Sequence, residues 1–146
     1  MAAFATGSGG PPKKPPVTAE LVWTEGHRLD VTSGRIATVV DGDSTAGASP
    51  VQMLVIGLAA CMGIDVLDIV QKGRHPLTGF RTSIVAERQQ FVPYRLTKAS
   101  LHFHIEGDVP EAAIERAIAL SRDKYCSVWH SLREDITLET AYTIVR

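Results

Sequence analysis

Two sulfur atoms raise the first chemical question. Cys61 sits in GLAACMGIDV, residues 57–66, among alanines and glycines in one of the most apolar parts of the chain, and Cys126 sits in RDKYCSVWHS, residues 122–131. A thiolate is a nucleophile and a metal ligand, and two thiols that meet can cycle through sulfenic acid and disulfide. These two lie 65 residues apart in sequence, too sparse for the disulfide framework of a small secreted domain.

Their local contexts differ. Asp65 and Asp68 follow Cys61 by one and two helical turns on the same face, and nearby carboxylates oppose thiolate formation unless a cation stands between. Taken alone, Cys61 reads as a small buried hydrophobe, since buried free cysteines are commonly inert. Cys126 follows Arg122 and Lys124 at the end of a helical pattern. A break between helices there sets it near the N-terminus of the next helix, whose free N–H groups favour a thiolate. That reading predicts an electropositive, accessible thiol; its competitor is an ordinary packed cysteine.

Other chemistries find less support. Cys61, Cys126, His102 and His104 have the composition of a zinc set, but no C-x2–4-C or H-x3–5-H spacing is present. Strand residues two apart point side by side, so His102 and His104 are expected on a solvated or interfacial sheet face, and no metal is expected. The chain lacks the G-x-S-x-G elbow of a serine hydrolase and both glycine-rich phosphate motifs, so no nucleotide cofactor is expected. Formal net charge is −1 with scattered Lys and Arg, which argues against nucleic acid as a partner.

The elements that must position the thiols follow from patterning. With 146 residues, 45% hydrophobic and 21% charged, the chain fits one ordinary domain with a real core. Residues 1–16, MAAFATGSGGPPKKPP, read as a flexible leader without the apolar stretch of a secretory signal, leaving residues 17–146 as a single domain. Export is unsupported, so a cytoplasmic location is expected.

Residues 18–23, 28–33 and 35–40 alternate like short strands, and 41–49 reads as a loop. Ser49-Pro50 opens a helix that Gly73 closes. From Met53 to Ile64 it is apolar on nearly every side, which predicts burial all round. The uninterrupted run ends after 12 residues at Asp65, which argues against a membrane span.

Two longer strands, 80–91 and 97–107, follow with a turn near Pro93, the second placing Leu101, Phe103 and Ile105 on one face. An amphipathic helix over 108–125 with Asp108 as cap, a helical turn over 127–134 and a strand over 136–145 complete the order. The predicted class is α+β: an antiparallel-rich sheet with a long buried central helix.

On these residues the chain resembles a known family. ASPVQMLVIGLAACMGIDVLDIVQKGR, residues 48–74, resembles the signature helix of the OsmC/Ohr proteins (osmotically inducible and organic hydroperoxide resistance proteins). ALSRDKYCSVWHSL, residues 119–132, resembles their second cysteine segment, and the likeness extends over about residues 18–145. It implies an OsmC-like intertwined homodimer and a thiol-dependent peroxidase acting on organic hydroperoxides in oxidative stress. Cys61 would attack the peroxide and become a sulfenic acid, Cys126 would resolve it to a disulfide, and a dithiol or lipoyl-type protein would reduce the pair.

The pattern also departs from the family. Where peroxidase members carry a glutamate after the SP proline, this chain has Val51. That glutamate holds an arginine, for which Arg28 and Arg35 are the candidates; Asp65 is a candidate to orient a cation in the glutamate's place. The wording is closest to the poorly characterised OsmC-like branch. A pocket lined by Met53, Leu54 and Met62 is expected to favour alkyl hydroperoxides. The alternative reading is an OsmC-fold protein that binds a small ligand or senses redox state without efficient peroxidase activity.

Overall fold

Period-two alternation and a 23-residue apolar helix divide the chain between them. The computed structural model describes residues 10, 11 and 13–146. Most of the expected leader therefore lies outside the described residues; Gly10, Pro11 and residues 13–16 are exposed and lack helix or strand. Two compact units follow, the first ending at Ser49 and the second running from Pro50 to Arg146.

The first unit is an antiparallel meander of β1 (Glu20–Glu25), β2 (Arg28–Ser33) and β3 (Ile36–Asp41). Gly34, at φ 57°, supplies the left-handed residue of the β2–β3 turn that a side chain would resist. In the loop after β3 the Asp41 carboxylate accepts the backbone N–H groups of Asp43 and Ala46, both at 2.9 Å, and Thr45 at 3.3 Å. Those bonds, led by Ala46, hold the Asp41 carboxyl below its ordinary range.

The second unit is built on α1 (Pro50–Lys72), the helix expected from Pro50 to Lys72 with Gly73 as its stop. β4 (Leu77–Arg88) and β5 (Leu96–Gly107) form an antiparallel hairpin, and β6 (Thr137–Val145) pairs parallel to β5. A parallel neighbour needs a crossover. It is supplied by α2 (Glu111–Leu120), a π-helical turn (Ser121–Tyr125) and the short α3 (Ser127–His130).

Leu58, Met62, Val66 and Val70 recur every four residues along α1 and are at most 2% exposed. They pack with Leu101, Phe103 and Ile105 of β5 and with Ile114 and Ala117 of α2 into one core. The α+β class, the antiparallel-rich sheet and the central helix are as the sequence predicts.

Three expectations are corrected. α1 is not buried all round: Ile56 is 56% and Ile64 64% exposed, because the sheet and α2 cover only one side of the cylinder. By length and composition this helix suffices to cross a membrane, with a mean hydropathy of 2.2 over 18 residues. It is the buried four-residue stripe, rather than the short apolar run, that marks it as a core helix. Finally, α2 starts at Glu111 with Pro110 as its N-cap, and Asp108, instead of capping, pairs with Arg146 at 3.2 Å.

Candidate functional site

Cys61 lies at the middle of α1, half-buried, one residue before the core residue Met62. Cys126 is brought to it by the crossover. At the end of α2 the helix widens into a π turn, closed by the Cys126 N–H donating to the Ser121 carbonyl at 2.9 Å, five residues back. Such turns concentrate where a side chain must be re-aimed. Here the turn ends the helix at Cys126, whose extended backbone (φ −70°, ψ 98°) makes it the N-cap of α3.

The two sulfurs and one Asp65 carboxylate oxygen all lie within 4.8 Å of one another. The Cys126 sulfur accepts the Trp129 N–H at 3.3 Å. Cys61 Sγ also contacts Ser127 Oγ at 3.9 Å. Behind the trio, the fully buried Ser121 donates to Asp65 Oδ2 at 2.8 Å.

The exposures of the two thiols are unequal. Cys61 is partly open, whereas Cys126 is 0% exposed. Burial pushes the Cys126 thiol up to about 11, the Trp129 N–H opposes it, and Cys61 and Asp65 add to the rise. The expectation of an accessible, electropositive Cys126 is therefore corrected. It does cap the next helix, but α3 is only four residues long, and its neighbouring cations turn elsewhere. Arg122 donates to Thr140 at 2.7 Å, and Lys124 lies over the Tyr125 ring.

The zinc set weighed in the sequence is broken up. Phe103 of β5 is in the core, so His102 and His104 fall on the opposite face, where their rings stack at 4.2 Å. Asp65 joins the two sulfurs instead, leaving three donors where a closed zinc site uses four.

Arg28 and Arg35 belong to the N-terminal unit. Arg28 opens β2 and its Nε donates to Asp30 at 3.3 Å; Arg35 is exposed in the β2–β3 turn. Within the second unit, Arg88 and Arg95 border a groove of about 310 Å³ with Val51, Leu54, Tyr94 and Leu132. Leu54 stands seven residues before Cys61, two turns away on the same helix face.

The expected pocket of Met53, Leu54 and Met62 is thereby corrected. Met62 is sealed in the core and Met53 is 39% exposed, as nine residues of α-helix place them on opposite faces. Sequence reasoning passed over Ser121 and Ser127 and these two arginines. Ser121 left a signal: it continues the Ile114, Ala117 buried stripe of α2 with a polar residue, and a buried hydroxyl needs a partner.

Comparison with known proteins agrees with this architecture. Residues 41–141 match the family described as OsmC-like protein. The chain is 34% identical over 130 residues to protein YhfA of Escherichia coli strain K12, covering 87% of this chain and 97% of YhfA. Among solved structures it is similar to the OsmC-like protein of Mycoplasma pneumoniae, at 17% identity and TM-score 0.79, covering 92% of this chain and all of that one. It is also similar to a Legionella pneumophila organic hydroperoxide resistance protein OsmC, described as a predicted redox protein, at 14% identity and TM-score 0.67, over 90% and 99% of the two chains. At such identities the structural likenesses speak for the fold alone. The profile match, the YhfA identity and the paired thiols on one α+β scaffold place the chain in the OsmC family.

Proposed function

We propose that the protein is a thiol-dependent peroxidase that reduces organic hydroperoxides through Cys61 and Cys126, in a reducing compartment such as the cytoplasm. The observation that carries this reading is the approach of the two sulfurs to within 4.8 Å. Their unequal exposure fits a division of labour: a half-open Cys61 meets the peroxide while a hidden Cys126 waits for the sulfenic acid. The name of the Legionella neighbour points the same way.

Attack by the Cys61 thiolate on the terminal peroxide oxygen gives a sulfenic acid and an alcohol. Condensation with the Cys126 thiol releases water and forms the disulfide, which a dithiol or dihydrolipoyl-type reductant reopens. The groove at Val51, Leu54, Tyr94 and Leu132 is apolar enough to receive an alkyl tail. A homodimer is supported by the exposed stripe Ile56, Ala60 and Ile64 on α1, which borders an apolar groove of about 400 Å³ with Phe80 and Ile84.

The test is to add cumene hydroperoxide to reduced protein and follow thiols by mass, comparing wild type with Cys61→Ser and Cys126→Ser. Wild type is expected to form an intramolecular disulfide rapidly, Cys126→Ser to stop at sulfenic acid, and Cys61→Ser to stay reduced. Slow and unselective oxidation of both cysteines would sink the proposal and leave redox sensing or small-ligand binding, the reading that Val51 in the glutamate's place favours.

A further inference from the structure

The disulfide cannot close until Cys126 loses a proton. Its thiol is buried and pushed well above the ordinary thiol range, so at neutral pH it rests protonated rather than as the thiolate that attacks sulfur. The groups that act on this sulfur are Cys61 and Asp65, both from α1, and the Trp129 N–H of its own turn. Cys61 is the partner that the reaction consumes, and an amide N–H accepts nothing. Asp65 is left.

Its geometry suits the task. One Asp65 oxygen lies within 4.8 Å of both sulfurs, within reach of direct contact after a small rotation or of one bridging water. The Ser121 hydroxyl, buried at the start of the π turn, donates to Oδ2 at 2.8 Å. That bond fixes the carboxylate beside the thiol pair. The same turn delivers Cys126, so base and thiol are positioned by one element.

We propose that Asp65 is the proton acceptor for Cys126 when the thiol pair closes, with Ser121 as the residue that positions it. The inference rests on the redox reading above. In the step, Asp65 takes the Cys126 proton, and the Cys126 sulfur attacks Cys61 Sγ of the sulfenic acid. The S–O bond breaks, and the departing hydroxide leaves as water with that proton. The Cys126 sulfur is oxidised and the Cys61 sulfur reduced by one unit each.

The experiment separates this step from peroxide chemistry by loading Cys61 in two ways. Reduced wild type, Asp65→Asn, Asp65→Glu and Ser121→Ala receive either cumene hydroperoxide or the small thiol reagent methyl methanethiosulfonate. Quenched samples are weighed for the Cys61 adduct and for the disulfide. With methyl methanethiosulfonate the leaving group is methanethiol, so closure is measured even if peroxide never oxidises Cys61.

Asp65→Asn is expected to form the Cys61 adduct normally and to close at least about 10²-fold more slowly, the ordinary yield of a positioned base. Asp65→Glu is expected to recover part of the rate, and Ser121→Ala to lose part. The Asp65→Asn closure rate should climb about tenfold per pH unit across the neutral range, as attack by pre-formed thiolate requires, while wild type stays nearly flat, a profile that a structural defect does not produce. Closure of Asp65→Asn at the wild-type rate, or with the wild-type pH profile, overturns the inference. Absence of a peroxide-derived adduct alongside normal methyl methanethiosulfonate results sinks only the peroxidase reading.

Discussion

Ser121 and Asp65, 56 residues apart in sequence, are joined by a 2.8 Å hydrogen bond between a buried hydroxyl and a carboxylate. The bond ties the π turn to the central helix at the level of the thiol pair. Removing the hydroxyl leaves a partly buried carboxylate one donor short, and bonds to charged groups are worth about 1.5–3 kcal/mol. Ser121→Ala is expected to lower unfolding free energy by that amount in urea titration. An unchanged midpoint would mean that the bond does not form in solution.

Stability should also depend on pH through Cys126. Its thiol rises from 9.0 to about 11 on folding, chiefly through burial, so the folded state prefers the protonated form. The contribution is complete below pH 9 and is lost as pH climbs through 11, on the order of 2 kcal/mol. Melting of reduced protein from pH 8 to 11 is expected to fall more steeply for wild type than for Cys126→Ala. Parallel curves would contradict the burial of this sulfur.

The exposed stripe on α1 makes a separate prediction about assembly. Ile64 is 64% exposed on an apolar face, and an apolar face of this kind marks a contact surface. Light scattering is expected to give a dimer for wild type and a monomer for Ile64→Glu. Dimers of equal stability from both would move the interface elsewhere.

Met62 and Met53 sit on the same helix with opposite surroundings, 0% and 39% exposed. Met62→Ala opens a cavity in the core and is expected to cost about 2–5 kcal/mol, as buried Met→Ala changes do. Met53→Ala should cost well under half of that. Similar losses for both would show that α1 is rotated from the orientation described.

Periodicity carried most of the architecture. Alternation in β5 and the proline-to-glycine frame of α1 are local properties, and both elements fall where residues 97–107 and 50–72 place them. The resemblance to the OsmC proteins was legible because it rests on two spaced segments. The π turn was not, since the helical reading over residues 108–125 runs straight through Ser121–Tyr125, and the wider turn shows in the hydrogen bond from the Cys126 N–H to the Ser121 carbonyl. The concealment of Cys126 was equally out of reach. Its neighbours Arg122 and Lys124 suggest a positive, open site, but a tertiary contact sends the Arg122 charge to Thr140 and Lys124 turns onto the adjacent Tyr125 ring.

The Cys126 sulfur that lies beside Cys61 is also what holds the Trp129 amide at the start of α3. A bond to Cys61 would re-aim this sulfur, and with it the side-chain cap of a four-residue helix. The cap thus couples the state of the thiol pair to the backbone that carries Trp129, whose indole fluorescence is expected to change when the pair is oxidised.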